Sequence, residues 1–435
     1  MQNLSIIILA AGLGKRMKST TPKVLHSLSG YPMIFHILRQ AQQLSNDVHV
    51  VLFHQHERIE KALKSHFQSL HVSLQDFTNF PGTGGALMGV KPSHERVLIL
   101  NGDMPLVTTQ SLEPLLKSDA DVVLSTFVAT DPKGYGRVVT DENDNVIKIV
   151  EEKDATFNEQ LIKRVNAGVY CFDSHFLTTY LPKLNNKNAQ KEYYLTDLIA
   201  LATNNNLTVK SVEVNEESFM GVNSKSQLAQ AETKMQNQIK TTWMEKGVSM
   251  RLPETIFIDS EARFEGECIL ENGVSILGPC LIDSSHIKAN SIIESSQIKN
   301  SSIGPLARIR PQSEIIDSHI GNFVEVKKSK LTGVKAGHLS YLGDAFIDEG
   351  TNVGCGTITC NYDGKAKHQT RIGKNVFIGS DTQLIAPVTI EDDVLIAAGS
   401  TITKNIQKGA LAITRAPLRI KEGFFEKFFG PKGSK

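Results

Sequence analysis

In the second half of this chain an aliphatic residue returns every six positions. Ile372, Ile378, Leu384, Ile390, Ile396 and Ile402 form an unbroken run, and Val376, Val388 and Val394 make a second column four residues after members of the first. Ile303, Ile309 and Ile315 keep the same spacing, with Ile276, Ile282 and Ile298 before them. A period of six fits neither the turn of an α-helix nor the two-residue alternation of a plain strand. It fits a chain that bends at regular corners: three short strands per coil, one inward aliphatic per strand, and small residues such as Gly304, Gly321, Gly373, Gly379 and Gly399 near the bends. The spacing therefore predicts a parallel β-helix over residues 248–435. The count breaks at Thr359–Arg371, which predicts a polar, basic loop extruded from one coil.

Residues 1–224 follow a different grammar. Ser5–Leu9, His49–Phe53, Val97–Leu100, Val122–Phe127 and Ala167–Phe172 read as strands, and Pro32–Gln43, Ile59–Phe67, Ser111–Lys117 and Leu195–Asn204 as helices. Strands alternating with helices predict an α/β domain with a mainly parallel, doubly wound sheet, whose ligands sit at the carboxyl ends of the strands. Residues 225–247 hold no proline, and no glycine before Gly247, and predict a linker helix from Ser226 through Lys246.

A length of 435 residues agrees with more than one domain. With 21% charged residues and a net charge of +1, no global field attracts nucleic acid or a membrane surface, so substrate charge must be met locally. The five cysteines are odd in number and form no CxxC pair, which predicts free thiols in a reducing compartment. The apolar stretch Leu4–Ala11 runs at once into Gly12, Gly14, Lys15 and Arg16, and reads as a buried first strand rather than a leader. No run is long enough to span a bilayer, and a cytoplasmic protein is expected.

Two segments carry chemistry in the first half. In LAAGLGKRM, Leu9–Met17, Gly12 and Gly14 let the backbone approach a phosphate, while Arg16, Lys18 and Lys23 add positive charge. In LILNGDMPL, Leu98–Leu106, Asp103 ends an apolar strand, where its carboxylate either caps the next turn or bridges a hard cation to phosphates. In the second half, Arg310, Lys327, His338, Tyr341, Asn352, Asn361 and Tyr362 are polar residues a plain solenoid has no use for. Coils stack distant residues on one face, so Arg310 and Lys327 can flank an anionic pocket. His338 has the right chemistry to take a proton from an amine attacking a thioester. Cys360 has no evident partner as a nucleophile.

LAAGLGKRM with Pro22–Lys23, GTGGA (Gly82–Ala86), NGDMPL, GYGRV (Gly134–Val138), IVEEKDA (Ile149–Ala155), NAGVY (Asn166–Tyr170), EYYLTD (Glu192–Asp197) and GVN (Gly221–Asn223) resemble the sugar-1-phosphate nucleotidyltransferases. KAGHLSYLGD (Lys335–Asp344), GTITCNYDG (Gly356–Gly364), FIGSDTQLIAPVTI (Phe377–Ile390) and IAAGSTIT (Ile396–Thr403) extend the likeness to the bifunctional N-acetylglucosamine-1-phosphate uridyltransferase / glucosamine-1-phosphate N-acetyltransferases. The resemblance implies a Rossmann-like (GT-A type) domain followed by a left-handed β-helix of hexapeptide repeats, with UTP and acetyl-CoA as co-substrates, Mg²⁺, and a homotrimer with acetyltransferase sites between subunits. It implies that Asp103 and Asn223 hold the metal and that Arg16 and Lys23 offset triphosphate charge. Leu9, Ala10, Ala11, Gly12, Gln75, Gly82 and Thr83 would line the nucleotide site, and Gly136, Glu151 and Asn166 the sugar, with Thr196 nearby. It implies His338 as general base, and Arg310, Lys327, Tyr341, Asn352 and Lys367 around glucosamine 1-phosphate. Asn361 and Tyr362 would contact substrate and acetyl group, and Ser380, Ala398 and Arg415 belong to the acetyl-CoA site.

Three departures from the family accompany these expectations. Phe77 stands five residues before the Gly-Thr pair, where a uracil-reading glutamine is usual, and Gln75 stands seven before. Asn101 replaces a tyrosine ahead of Gly102-Asp103. The early β-helix, Ile256–Ile303, is about one coil short. The aromatic, basic end from Lys421 packs on the helix end, touches the CoA phosphates or forms a tail. The alternative function is a single-activity sugar-1-phosphate nucleotidyltransferase with a structural or regulatory β-helix.

Overall fold

The computed structural model describes residues 3–430, so the last five residues of the C-terminal segment lie outside the described residues. The chain divides into two compact units, Met1–Gln236 and Asn237–Lys435, with the division inside a helix, Lys225–Glu245.

In the first unit the strands lie side by side in the order Val209–Glu213, Val122–Val128, Arg164–Asp173, Arg96–Asn101, Leu4–Ala10, Asp47–Leu52 and His71–Leu74. All pairs are parallel except those of Arg164–Asp173, which runs against both its neighbours. A hairpin, Arg137–Thr140 with Val146–Val150, joins through Val165↔Arg137. The strands with continuous apolar runs are those buried on both faces: Ile6, Ile8, Val48, Val50, Leu98 and Leu100 are fully inaccessible. His71–Leu74, Arg137–Thr140, Val146–Val150 and Val209–Glu213 escape sequence reading because charged or polar residues break their pattern, as suits strands that face water on one side. Helix Met33–Leu44 buries Ile34, Phe35, Ile37, Leu38 and Ala41 beside the sheet at the spacing of one helical face.

The second unit is a three-sided coil of parallel strands, stacked ten, nine and eight deep. Every aliphatic of the six-residue run from Ile372 to Ile402 points inward, at 4% exposure or less. The register climbs Ile287, Ile303, Ile320, Ala336, Val353, Ile378, Ile396. The last step is eighteen residues, three times six, while the four steps from Ile287 to Val353 are sixteen or seventeen. Tight corners through left-handed Ser295, Asn300, Gln312 and Asp317 accompany the shorter count. Buried corner serines satisfy backbone donors that the strands leave free: Ser301 N–H donates to Ser285 Oγ, Ser318 N–H to Ser301 Oγ, and Val334 N–H to Ser318 Oγ, each at 3.0 Å. The step from Val353 to Ile378 is longer because Asn361–Gln369 leaves the coil between strands Ile358–Cys360 and Thr370–Ile372. The loop is narrower than the break in the count, since Thr359, Thr370 and Arg371 remain in strands.

His36, in the first unit, is buried with Nε2 2.8 Å from the Leu28 carbonyl, and burial pushes its pKa down to about 4. The neutral imidazole donates to that carbonyl, so the unfolded chain binds the proton more readily. This contribution to stability is complete above the unfolded value near 6.5 and is lost as pH falls from there toward 4. We expect the first unit to lose on the order of 3 kcal/mol from this group over that window. His36→Gln should flatten that part of the stability–pH curve in urea melts; an unchanged slope would remove the assignment.

Candidate active sites

At the carboxyl edge of the first unit's sheet, Leu9 pairs with Asn101, so the loops after both strands open at one place. They enclose a cavity of about 570 Å³. Arg16, Leu9, Ala10, Ala11, Gly12, Lys23, Gln75, Gly82, Thr83, Asp103, Gly136, Glu151, Asn166 and Asn223 all line it. Thr196 lies behind this wall and donates through Oγ1 to Glu151 Oε1 at 3.0 Å.

The cavity is organised around one ammonium. Lys23 Nζ donates to Asp103 Oδ2 at 2.5 Å and to Asn223 Oδ1 at 3.0 Å. Val222 N–H donates to the Asp103 carbonyl at 2.9 Å, which ties two segments over a hundred residues apart. Gly221 sits against the same carboxylate, where a Cβ would come within 3.8 Å of both its oxygens. Two oxygen donors thus already converge on a cation with open space beside them. Arg16 is exposed at the rim and forms no ion pair among the described residues.

Glu151 is half-buried, and desolvation raises its pKa above the usual carboxylate value, with the Thr196 hydroxyl opposing the shift. Asn166 is held by Tyr170 Oη at 2.6 Å and by Gly168 N–H at 2.9 Å. Thr83 Oγ1 accepts from Leu195 N–H at 3.1 Å. Gly82 has φ +96°, and a Cβ there would lie 2.8 Å from the Tyr193 carbonyl, so only glycine fits. Gly12 differs: a Cβ on it would meet nothing within 4 Å and would project into free space.

The two departures in this half acquire partners. Gln75 Nε2 donates to the Phe80 and Gly82 carbonyls, both at 2.9 Å, and closes the loop that carries the Gly-Thr pair. Phe77 stacks on Phe53 with ring centres 4.7 Å apart and also lines the cavity. Asn101 Nδ2 donates to the Gly168 carbonyl at 2.9 Å, and fixes the opposite wall. Sequence reading places Phe53 in a strand and Glu192 in a motif without giving either a site role, and it misses Lys133, a lone charge in a loop with no local pattern, although Lys133 and Glu192 both line the cavity.

In the second unit, one corner stacks Arg310, Lys327, Asp344 and Asn361 on successive coils: Arg310 N–H donates to the Val326 carbonyl and Asp344 N–H to the Lys327 carbonyl. Asn361 Nδ2 donates to Asp344 Oδ2 at 2.5 Å and lies 3.5 Å from Tyr341 Oη. The Lys367 ammonium, from the extruded loop, faces Lys327 and with Arg310 holds the Lys327 pKa below the usual lysine value. Arg310 has one counter-ion, Glu325 at 2.8 Å, which raises its own pKa. Three crowded cations share too few anions, which is the electrostatics of an anion-binding corner.

His338 is exposed and stands at the preceding corner, three residues before Tyr341 on the same turn. Ser380 and Ala398 stack above it along that corner, through bonds from Gly356 to Leu339, Asp381 to Cys355 and Gly399 to Ser380. Tyr362 is exposed in the loop, its hydroxyl donating to the Gly364 carbonyl at 2.7 Å. Arg415 is exposed beyond the last strand, Leu411–Ala412. Asn352 is not brought to this group: it lies on another face of the coil, in register with Lys335 and Phe377.

The fold and its sites define a nucleoside-triphosphate transferase unit combined with a hexapeptide-repeat transferase. Residues 6–146 match the MobA-like NTP transferase domain, and residues 369–404 match the bacterial transferase hexapeptide (six repeats), so the coil is a left-handed parallel β-helix. The chain is 60% identical over 428 residues to the Bifunctional protein GlmU of a Nitratiruptor species, covering 98% of this chain and 99% of that one. It is 61% identical to that of Campylobacter concisus, with 98% of both chains covered, and 57% identical to that of a Sulfurovum species, covering 99% and 100%. The chain belongs to the GlmU family of bifunctional enzymes: it is a uridyltransferase and a glucosamine-1-phosphate acetyltransferase of UDP-N-acetylglucosamine synthesis. The single-activity alternative falls with the same result.

Gly12→Ala should leave thermal stability within about 0.5 kcal/mol, since its Cβ meets no protein atom, yet weaken UTP binding at least about tenfold by calorimetry. Gly82→Ala should instead lower stability by roughly 1–3 kcal/mol. Equal behaviour of the two variants would remove the distinction between a ligand-facing and a packing glycine.

Proposed function

We propose that the two activities are divided between the two units, with residues 1–224 performing uridyl transfer and residues 248–435 acetyl transfer. In the first, a phosphate oxygen of N-acetylglucosamine 1-phosphate attacks the α-phosphorus of UTP in line, and pyrophosphate leaves. No covalent enzyme intermediate is needed, so the protein supplies position and charge. Arg16 and Lys23 offset the negative charge that builds on the phosphates. Gly12, Gly82 and Thr83 let the nucleotide approach the backbone, and Gly136, Glu151 and Asn166 orient the sugar.

The donor set of Asp103 and Asn223 suits Mg²⁺: both offer hard oxygens, and they already share one ammonium at 2.5 and 3.0 Å. When bound there, Mg²⁺ would supply positive charge to the triphosphate beyond what the side chains give. This convergence of Asp103 and Asn223 is the observation that carries the reading.

In the second unit the phosphate of glucosamine 1-phosphate is taken by Arg310, Lys327 and Lys367, with Tyr341 beside it. His338 accepts a proton from the sugar ammonium. The freed amine attacks the thioester carbonyl of acetyl-CoA, the C–S bond breaks, and CoA leaves as a thiolate that takes up a proton. Asn361 and Tyr362 border the reacting groups, and Ser380, Ala398 and Arg415 lie along the path of CoA.

The site is completed by assembly into a trimer. Asn352 shares its face with Phe377, Leu395 and Leu411, which stack in register and remain 51%, 47% and 60% exposed. An apolar column of this kind favours burial against another copy, which would deliver Asn352 to a neighbour's cluster. No helix among the described residues is long and apolar enough to cross a membrane.

His338→Ala should lower acetyl transfer by about 100-fold or more and leave pyrophosphate release from UTP unchanged. Asp103→Ala should do the reverse. Parallel loss of both rates in either variant would sink the division of labour.

A further inference from the structure

At the edge of the first unit's sheet opposite the nucleotide cavity, we propose that Asp47, His49 and His71 form a binding site for a divalent transition-metal ion of the Zn²⁺ or Co²⁺ type. Asp47 opens its strand, whereas Ala10 and Asn101 close theirs at the cavity. Asp47 and His49 stand two residues apart on one strand and therefore on one face. His71 opens the edge strand directly opposite His49 in parallel register. The two imidazoles stack with centres 4.7 Å apart, and each presents Nε2 to the same carboxylate oxygen: Asp47 Oδ1 is 3.0 Å from His49 and 3.6 Å from His71.

These separations suit a metal. Ligand atoms about 2.0–2.1 Å from a tetrahedral ion lie roughly 3.3 Å from one another. The two observed distances fall on either side of that value, and all three ligand atoms lie within 4.8 Å of one another. The second carboxylate oxygen is held separately. Asp47 Oδ2 accepts from Ser5 Oγ at 2.5 Å and from Ser93 N–H at 3.0 Å, which leaves Oδ1 aimed at the histidines. Such outer bonds orient a ligating carboxylate. Asp47 and His49 are buried while the His71 side chain is 66% exposed, so one side stays open for a water ligand.

Charge points the same way. Among the described residues, the two histidines are the only ion-pair partners of Asp47. A simple hydrogen bond to Asp47 would need one imidazole; the second, stacked on the first with its nitrogen turned to the same oxygen, makes a convergent set. Two imidazole nitrogens and one oxygen select borderline metals, unlike the oxygens of Asp103 and Asn223. The ion would clip the edge strand His71–Leu74 to its neighbour.

The test uses the full chain, stripped with chelator, and titrates Co²⁺ by visible absorption with Zn²⁺ as competitor. Wild type should take up one equivalent with a tetrahedral spectrum, and Zn²⁺ should raise its melting temperature. His71→Ala, whose side chain is exposed, should stay folded, keep Mg²⁺-dependent uridyl transfer, and weaken Co²⁺ binding more than about 100-fold. His49→Ala should lose the spectrum as well. A wild type without such an equivalent, or variants that bind as tightly as wild type through the thiols or His338, would overturn the proposal.

Discussion

Parallel pairing of strands in register underlies both units and both sites. In a parallel sheet every strand ends on the same edge, so loops far apart in the chain meet there without any direct sequence relation. Asp103 and Asn223 come together in this way, joined by the bond from Val222 N–H to the Asp103 carbonyl. In the β-helix the same pairing repeats at each coil, and residues sixteen to eighteen positions apart become vertical neighbours. The inward aliphatics hold the coils, and the corner serines satisfy the amides that bending would otherwise leave unpaired.

Both sites concentrate charge that the fold alone does not require. Lys23 draws two oxygens to one point, and Arg310, Lys327 and Lys367 crowd against one another strongly enough to shift a lysine pKa downward. The crowded cations gain little for stability, since exposed like charges repel, whereas Lys23 and Asp103 form an ion pair of opposite charges. Under the proposed function the first offers an oxygen pair to a cation and the second a cationic corner to a phosphate. Glu151, by contrast, is tuned by burial and by the Thr196 hydroxyl, and contributes shape and hydrogen bonding to the wall of the cavity.

Some features are not legible in the sequence, for identifiable reasons. The edge strand His71–Leu74 has no apolar run because only its neighbour side is covered. Phe77 reads as a lost glutamine until its stacking on Phe53, twenty-four positions away, is seen. Gln75 reads as a candidate for base recognition, yet its amide nitrogen is spent on two carbonyls of its own loop. Asn352 carries the right motif but lies on a different face from Lys327 and Asn361, because the coil turns a corner between strands Asn352–Val353 and Ile358–Cys360.

Periodic burial was written in the sequence by itself. The six-residue aliphatic repeat determined a three-sided coil, the alternation of apolar runs and amphipathic stretches determined an open α/β sheet, and the motifs named nearly every group that lines the first cavity. These are local properties, set by which residues must leave water at what spacing. What only the tertiary structure decided is which distant groups meet. The Lys23 bridge, the placing of His338 one corner before Arg310, Lys327 and Lys367, and the meeting of Asp47, His49 and His71 depend on strand order and register. Register is set by packing across the whole sheet, and no short stretch of chain contains it.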